Sequence, residues 1–184
     1  MLQGLLSRQS VGIRHLQEPG PSDEQLQRLV DAALRAPDHA GLVPFRFAAV
    51  RGAARDRLAH LFVQAAIDGG KSAADAQIDG ERARRAPLTL AVLARIDGGH
   101  PLVPAHEQWA CVGGALTNLL NAAHALGYGG KMLSGSKARH PALQQAFCDA
   151  GETLLGWIAL GTPVNSPSRK VVKPRAADVL REWR

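Results

Sequence analysis

The chain has 184 residues, of which 46% are hydrophobic and 4% aromatic, with 22 basic against 16 acidic side chains and a net charge of +6. This length supports one buried core, so we predict a single domain over residues 1–184. The basic balance points to a phosphate-bearing ligand or nucleic acid, but the scattered arginines and few aromatic residues argue against a base-stacking platform.

The first part of the chain predicts a helix, a loop and a strand in that order. After a short amphipathic turn of leucines, Ser22 and Gln25 have the spacing of a capping box ahead of apolar residues that repeat on one helical face. Pro37 ends this helix because the residue before a proline disfavours helical geometry. The alternating segment 45–50 is predicted to be a strand, and a second helix follows near Leu58.

A polar segment, residues 68–85, precedes a continuous apolar run at 88–96. We predict a loop and an exposed helix outside the core for the polar segment, in the manner of a mobile lid, with a solvated face at Arg82, Arg84 and Arg85. The apolar run follows a proline and precedes glycines, which is typical of a central strand buried on both faces.

The second part predicts a long helix from about residue 107 to 126, strands at 129–133 and 157–160, and a short helix at 140–147. Gly113–Gly114 lie inside the long helix at a cost of roughly 1 kcal/mol each, which indicates close packing. Strands separated by helices predict an α/β layered domain whose sheet is covered on both faces. The strand order does not follow from the pattern.

Cysteine usage and the first residues predict a soluble protein of the cytoplasm. Cys111 and Cys148 lack the spacing of a disulfide framework or a zinc site, so we expect small buried thiols in a reducing compartment. Residues 1–7 carry neither a basic leader nor a long apolar core, and no stretch approaches the roughly 20 apolar residues of a membrane span.

Motifs of common catalytic sites are incomplete. His106–Glu107 begins like a zinc-protease helix, but Ala110 stands where the second histidine belongs, so no metal is expected. The glycines at 127–130 miss the third glycine of a dinucleotide loop and open a strand instead of a helix. Ser134 lacks the glycines that surround a nucleophile at a strand–helix elbow. The sequence therefore gives no support to zinc, Rossmann or hydrolase chemistry.

The remaining candidates are polar loops at the ends of apolar elements: Arg8–Ser10, Arg35–His39, Ser134–Gly135 and the basic residues of the tail. Loops that packed elements position often carry function, and together these could surround one anionic, planar ligand. The alternative for the second loop is that Asp38 only caps a turn and His39 is solvated.

In order and spacing these segments resemble the nitroreductase family of FMN-dependent oxidoreductases, especially its short members. The strings that carry the resemblance are Ser7–Ser10, Glu18–Pro21, Arg35–His39, Pro44–Phe47, Ala86–Pro87, Gly127–Gly130, Ser134–Gly135 and Leu160–Pro163. The resemblance implies an α+β fold of three layers, a central and mostly antiparallel sheet flanked by helices, in a domain-crossed homodimer with two FMN sites at the interface. The Gly113–Gly114 helix would pack against its mate across the dimer axis or, equally, within one subunit.

The resemblance also implies which residues contact FMN. Arg8 would meet the phosphate or the ribityl chain, since a phosphate dianion needs cations in fork geometry, and the loop from Pro37 to His39 would reach into the partner's site. The implied cofactor-binding residues are Arg8, Gln9, Ser10, Arg35, Pro37, Asp38, His39, Met132, Leu133, Ser134 and Gly135. Gln9 stands where a second basic residue is common, so Arg169 or Lys170 is expected to compensate.

No catalytic side chain is implied beyond the flavin itself, because the backbone of Ser134 and Gly135 would lie near N5, the atom that accepts and returns the hydride. Nicotinamide nucleotide contacts are implied at the end of the long helix, at Ala122, Ala123, His124, Ala125, Leu126 and Gly127. Met132 and Phe45 stand where relatives often carry tryptophan, which leaves the shape of the acceptor open.

The implied function is that of an NAD(P)H oxidoreductase with two half-reactions. NADH or NADPH would reduce bound FMN, and a nitroaromatic, a quinone or a similar small acceptor would then take the electrons at the same flavin face. A flavin-binding or delivery protein without significant nitroreductase turnover is the alternative. A nucleic-acid-binding module is a third reading, which would predict salt-dependent DNA binding and no yellow colour.

Overall fold

The structure is a computed structural model, and it describes residues 2–164 and 172–183. The helices are α1 (Leu2–Ser7), α2 (Asp23–Ala33), α3 (Ala54–Asp68), α4 (Ala73–Arg85), α5 (Ala105–Ala125), α6 (Pro141–Phe147) and α7 (Ala176–Val179). The strands are β1 (Leu16–Gln17), β2 (Phe45–Val50), β3 (Leu88–Arg95), β4 (Gly129–Leu133) and β5 (Glu152–Pro163).

Every strand pair in the described residues is antiparallel. β2 pairs with β3, β3 pairs with β5, and β5 also pairs with β4 and, at its end, with β1. The predicted antiparallel sheet is therefore confirmed. β5 is much longer than the predicted segment 157–160, because its first half pairs with β3 alone and its second half also takes β4 as a neighbour.

Both faces of the sheet are covered by helices, which confirms the three-layer fold. Along β3, Leu88, Leu90 and Val92 pack in one cluster with residues of α2 and α5. Ala91 and Leu93 of the same strand pack in the opposite cluster with residues of α3, α4 and α6. Alternate side chains of a strand point to opposite faces, so a strand buried on both sides reads as a continuous apolar run.

The cap of α2 has the predicted geometry. The Ser22 hydroxyl accepts a hydrogen bond from the Gln25 backbone N–H (3.2 Å), and the Gln25 side-chain oxygen accepts one from the Ser22 backbone N–H (2.9 Å). The same oxygen accepts a second hydrogen bond, from the Tyr128 hydroxyl (2.8 Å), which ties the start of α2 to the turn between α5 and β4.

The prediction of an exposed helix outside the core for the segment 68–85 is wrong. Its helix, α4, is not outside the core, because Ala76 and Ala83 are buried and Gly80 lies so close to α3 that a Cβ there would be 2.7 Å from Val63 Cγ2. Its arginines are not a purely solvated face either, because two of them form ion pairs. Arg82 lies 3.3 Å from Asp79, and Arg84 lies 2.6 Å from Asp56. The small residues that allow this packing carry little apolar signal in the sequence.

Further elements escape the sequence pattern, namely β1, with two residues, and the short helix α7. Both predicted thiols are free, with Cys111 buried and Cys148 half-buried just after α6 rather than within a helix. Within residues 2–164 and 172–183, none of the helices combines the length and the apolar character that crossing a bilayer requires.

Candidate functional site

The segment Arg8–Ser10 leaves α1 and runs along the start of β4. The Val11 backbone N–H donates to the Gly130 carbonyl (3.0 Å), which fixes this segment against the strand. A side chain at Gly129 would leave no room for Val11 at the end of this segment, since a Cβ there would lie 3.0 Å from Val11. The two glycines at the start of β4 therefore serve close approach of backbone rather than dinucleotide binding.

A groove of about 280 Å³ lies where this segment meets the end of α5. Arg8 and Gln9 line it together with His124 and Gly127, and the Ser7 hydroxyl lies 3.2 Å from His124 Nε2. Within the predicted nucleotide segment, residues 122–127, these are the two residues that line the groove. Ala123 instead packs in the core. Residues of the end of α5 and of the Arg8 segment thus line one groove.

The loop from Arg35 to His39 lies on the first half of α5. A Cβ at Gly114 would lie 3.2 Å from Ala36 Cβ, so this glycine packs closely within the subunit, whereas Gly113 is exposed with nothing within 4 Å of a Cβ. The two adjacent glycines therefore face different surroundings. The close packing predicted for the pair is found within one chain at Gly114 but not at Gly113.

Polar contacts hold this loop in place. Asp38 Oδ2 accepts a hydrogen bond from the Val43 backbone N–H (2.7 Å), which is the turn-capping role foreseen as the alternative. His39 is not simply solvated, because its Nδ1 lies 2.7 Å from Glu107 Oε2. Arg35 and Pro37 are exposed beside them. The loop thus presents an arginine and an oriented imidazole to whatever covers this face.

Burial removes Cys111 as a nucleophile beneath this loop. Desolvation, reinforced by the nearby Asp38 carboxylate, raises the pKa of the Cys111 thiol to about 11. A thiol needs its thiolate form to attack a substrate, and this group stays protonated at neutral pH.

Ser134 and Gly135 follow the last residue of β4 and are exposed. Their position is set by a bulge in β5, where Val92 of β3 pairs with Gly156 but Leu93 pairs with Leu154. Gly156 has a φ of +144°, and a Cβ there would overlap the Leu133 carbonyl oxygen and lie 3.1 Å from Ser134 Cα. Gly156 is the residue of this site that sequence reasoning missed. Its only signal was a glycine inside an apolar run, which is typical of a bulge.

The chain continues from Gly135 into a 3₁₀ turn, Ser136–Arg139, which a buried carboxylate holds. Lys137 Nζ lies 2.8 Å from Asp79 Oδ2 on α4, and the side chain of Asp79 is only 8% exposed. Burial acts to raise the pKa of Asp79, but hydrogen bonds from Lys137 and Lys71 outweigh it and the pKa is lowered. Asp79 is therefore an ionised carboxylate inside the protein.

The predicted site residues fall into two groups within one chain, those at the ends of β4 and those of the Arg35–His39 loop. Arg8–Ser10 and Ser134–Gly135 lie at the two ends of β4, about 14 Å apart at the usual rise of a strand. The Arg35–His39 loop contacts α5 at Glu107 and at Gly114, about 25 and about 15 Å along the helix axis from His124 at the usual rise of a helix. Arg169 and Lys170 lie outside the described residues. The part of the chain that is described holds no cluster of three metal-ligating side chains.

Comparison with known proteins gives a consistent set of matches. The profile of the Nitroreductase family matches residues 5–162. A protein of Escherichia coli K12 named "Putative NAD(P)H nitroreductase YdjA" is 36% identical over 176 residues, which are 94% of this chain and 93% of that protein. A "Putative NAD(P)H nitroreductase" of Haemophilus influenzae is 31% identical over 158 residues, with 85% and 86% coverage.

Solved structures show the same fold. The nitroreductase-like family protein from Bacillus cereus superposes with a TM-score of 0.85 at 19% identity, over 99% of this chain and 95% of that one. A "putative nitroreductase" from Desulfovibrio desulfuricans in complex with FMN superposes with a TM-score of 0.73 at 22% identity, over 100% and 96% of the two chains.

Proposed function

Since the chain belongs to the nitroreductase family, we propose that it is a single-domain, FMN-dependent NAD(P)H oxidoreductase of the cytoplasm that passes electrons to a nitroaromatic, a quinone or a related small acceptor. The observation that carries this proposal is the arrangement on β4. One end of this strand holds a cationic segment in a groove, and the other end presents an exposed backbone loop that a buried bulge keeps in place.

The residues present fit FMN. Arg8 offers a guanidinium for a phosphate, and Gln9 and Ser10 beside it offer polar groups for the ribityl chain or the edge of the ring. Gly127 lines the groove where the strand begins, and a Cβ there would have no described atom within 4 Å.

Bound FMN would supply the redox chemistry, taking a hydride from NADH or NADPH and returning electrons to the acceptor. The chain binds and orients it. Arg8 compensates the phosphate charge, and a backbone N–H at Ser134 or Gly135 donates toward N5. This division of labour agrees with a site that shows fixed backbone but few candidate acid–base side chains.

We propose that the protein works as a homodimer, because several large apolar side chains, those of α5 and of the tail among them, are exposed in the described part of a single chain. Trp109 is 41% exposed on α5, one turn before the exposed Gly113, and a glycine at this position lets a second helix approach closely. In the tail, Leu180 and Trp183 are exposed as well. Exposed apolar patches of this kind mark interaction surfaces.

The same packing would complete the site. Gly113 lies near the middle of α5, so a two-fold axis beside it places the first half of one helix against the second half of its mate. The Arg35–His39 loop of one copy would then lie over the groove of Arg8 and His124 in the other. One chain holds these two groups apart along α5, and the dimer would bring them together.

Absorption and rapid-mixing measurements on the purified protein test the oxidoreductase proposal. We expect a yellow protein with flavin bands, a stoichiometry of one FMN per chain, and bleaching of these bands on anaerobic mixing with NADH or NADPH. Bound FMN that neither nucleotide bleaches would instead indicate a flavin-delivery protein. Failure to bind added FMN would reject the proposal.

Subunit mixing tests the shared site. Arg8→Ala and His39→Ala variants are each expected to lose FMN, but random pairing of the two in one solution restores about a quarter of the sites, since half the mixed dimer's sites carry neither change. Mixing Arg8→Ala with itself is the control. No recovery after subunit exchange, shown separately by mass-tagged wild-type chains, would place both residues in the same subunit's site.

A further inference from the structure

Asp79 is a buried carboxylate that receives cations from separate parts of the chain. Lys71, in the turn between α3 and α4, and Lys137, in the turn after Gly135, lie 2.7 and 2.8 Å from the same Oδ2. Arg82 of α4 lies 3.3 Å from Oδ1. A carboxylate this buried is stable only with such partners, so its position is strongly determined by them.

Only one of these cations belongs to the loop of the candidate site. Lys137 lies two residues after Gly135, and it is the less exposed lysine, at 23% against 45% for Lys71. The residue next to it, Ala138, is buried in the core beneath α3 and α6. The turn is thus held at its middle, whereas Ser134 and Gly135 themselves are exposed.

We propose that the Asp79–Lys137 pair is a positioning device for the redox site, which rests on the proposed function. The pair fixes the start of the 3₁₀ turn and so aims the backbone N–H groups of Ser134 and Gly135, while the Asp79–Lys71 pair stabilises the helices without acting on the loop. The direction of a backbone N–H group is not set by the side chain of its own residue, so it depends on the nearest residue that is held in place.

The two lysines give a matched pair of variants. Lys137→Met and Lys71→Met each remove one cation from the same carboxylate oxygen, and only the first one lies in the loop. Lys137→Arg keeps the charge and a donor. Thermal unfolding of the three variants shows whether any of them fails to fold.

Hydrogen exchange without FMN gives a readout that does not depend on flavin binding. We expect the amides of residues 134–139 to exchange about tenfold faster in Lys137→Met, because a charged hydrogen bond that restrains local opening is lost. We expect no change at these amides in Lys71→Met and wild-type protection in Lys137→Arg. Equal exchange at residues 134–139 in both methionine variants would overturn the proposal.

Titration with FMN and visible circular dichroism of the bound flavin complete the test. The Lys137→Met variant should bind FMN about tenfold more weakly and with an altered flavin dichroism, and Lys71→Met should match the wild type in both. If the wild type binds FMN and both variants bind it equally, the positioning role is wrong and the proposed function stands. If the wild type binds none, the proposed function is wrong, and the role falls with it.

Discussion

At the scale of the residue, Gly156 controls the Ser134–Gly135 loop most directly, because its hydrogen atom faces the Leu133 carbonyl. Gly156→Ala combines an unfavourable φ of +144° with overlap at that carbonyl, so we expect the loop to shift and FMN to bind at least about tenfold more weakly. Gly151→Ala is the control, since its φ of +79° is also positive but a Cβ there would have nothing within 4 Å. Fluorescence titration of FMN measures the effect, and equal losses in both variants would contradict it.

Arg8 supplies the cation of the groove beside His124. Removing a charged hydrogen bond to a phosphate costs about 1.5 to 3 kcal/mol, so Arg8→Ala should raise the dissociation constant of FMN by about ten- to a hundredfold. Arg14→Ala removes an exposed arginine that instead donates to His15 and should bind FMN as the wild type does. Retention of colour by Arg8→Ala through extensive dialysis would remove Arg8 from the phosphate site.

At the scale of the element, α5 has one glycine that packs inside the chain and one that does not. Gly114→Leu should destabilise the subunit by about 1 to 3 kcal/mol, because even its Cβ lies 3.2 Å from Ala36. A Cβ at Gly113 has no described atom within 4 Å, so Gly113→Leu should leave the unfolding of the subunit unchanged or improve it, while it weakens dimerisation. Sedimentation velocity and urea unfolding separate the two outcomes. An intact Gly113→Leu dimer would remove this face from the interface.

The elements that the sequence predicts best are those in which periodicity and burial agree. The capping box located α2, and the uninterrupted apolar run located β3, because both signals are local. The position of α4 against α3 was hidden because Ala76, Gly80 and Ala83 pack through their small size, not through apolar bulk. The bulge at Gly156 depends on the register between β3 and β5, which is a relation between distant segments that no local pattern contains.

At the scale of the whole molecule, Glu152 joins three strands through one buried carboxylate. Arg46 of β2 donates to it from Nε (2.7 Å) and Nη2 (2.5 Å), and Arg95 of β3 from 3.3 Å, while its side chain is 3% exposed. The hydrogen bonds from Arg46 lower the pKa of Glu152 below its usual 4.5, although burial acts to raise it. This network ties the start of β5 to the neighbouring ends of β2 and β3.

The lowered pKa predicts the direction of the acid response. Glu152 takes up its proton at a higher pH in the unfolded chain than in the folded one. The stabilisation that its ionised carboxylate gives the folded state is therefore complete above about pH 4.5 and is lost as the pH falls through the lower folded pKa. Glu152→Gln should cost about 2 kcal/mol at pH 7 and flatten the decline of the urea midpoint in acid. Glu24→Gln, which alters an exposed pair with Arg28, is the control and should change little. An unchanged acid profile in Glu152→Gln would contradict this account.

The length of α5 has a consequence for how the protein behaves on dilution. If the two groups of proposed FMN-binding residues, which lie apart along α5, meet only across a pair of copies, then cofactor retention and self-association are one linked equilibrium. The amount of bound FMN would then depend on the square of the subunit concentration and not on the concentration of free FMN alone. Added flavin would in turn draw separated chains back together.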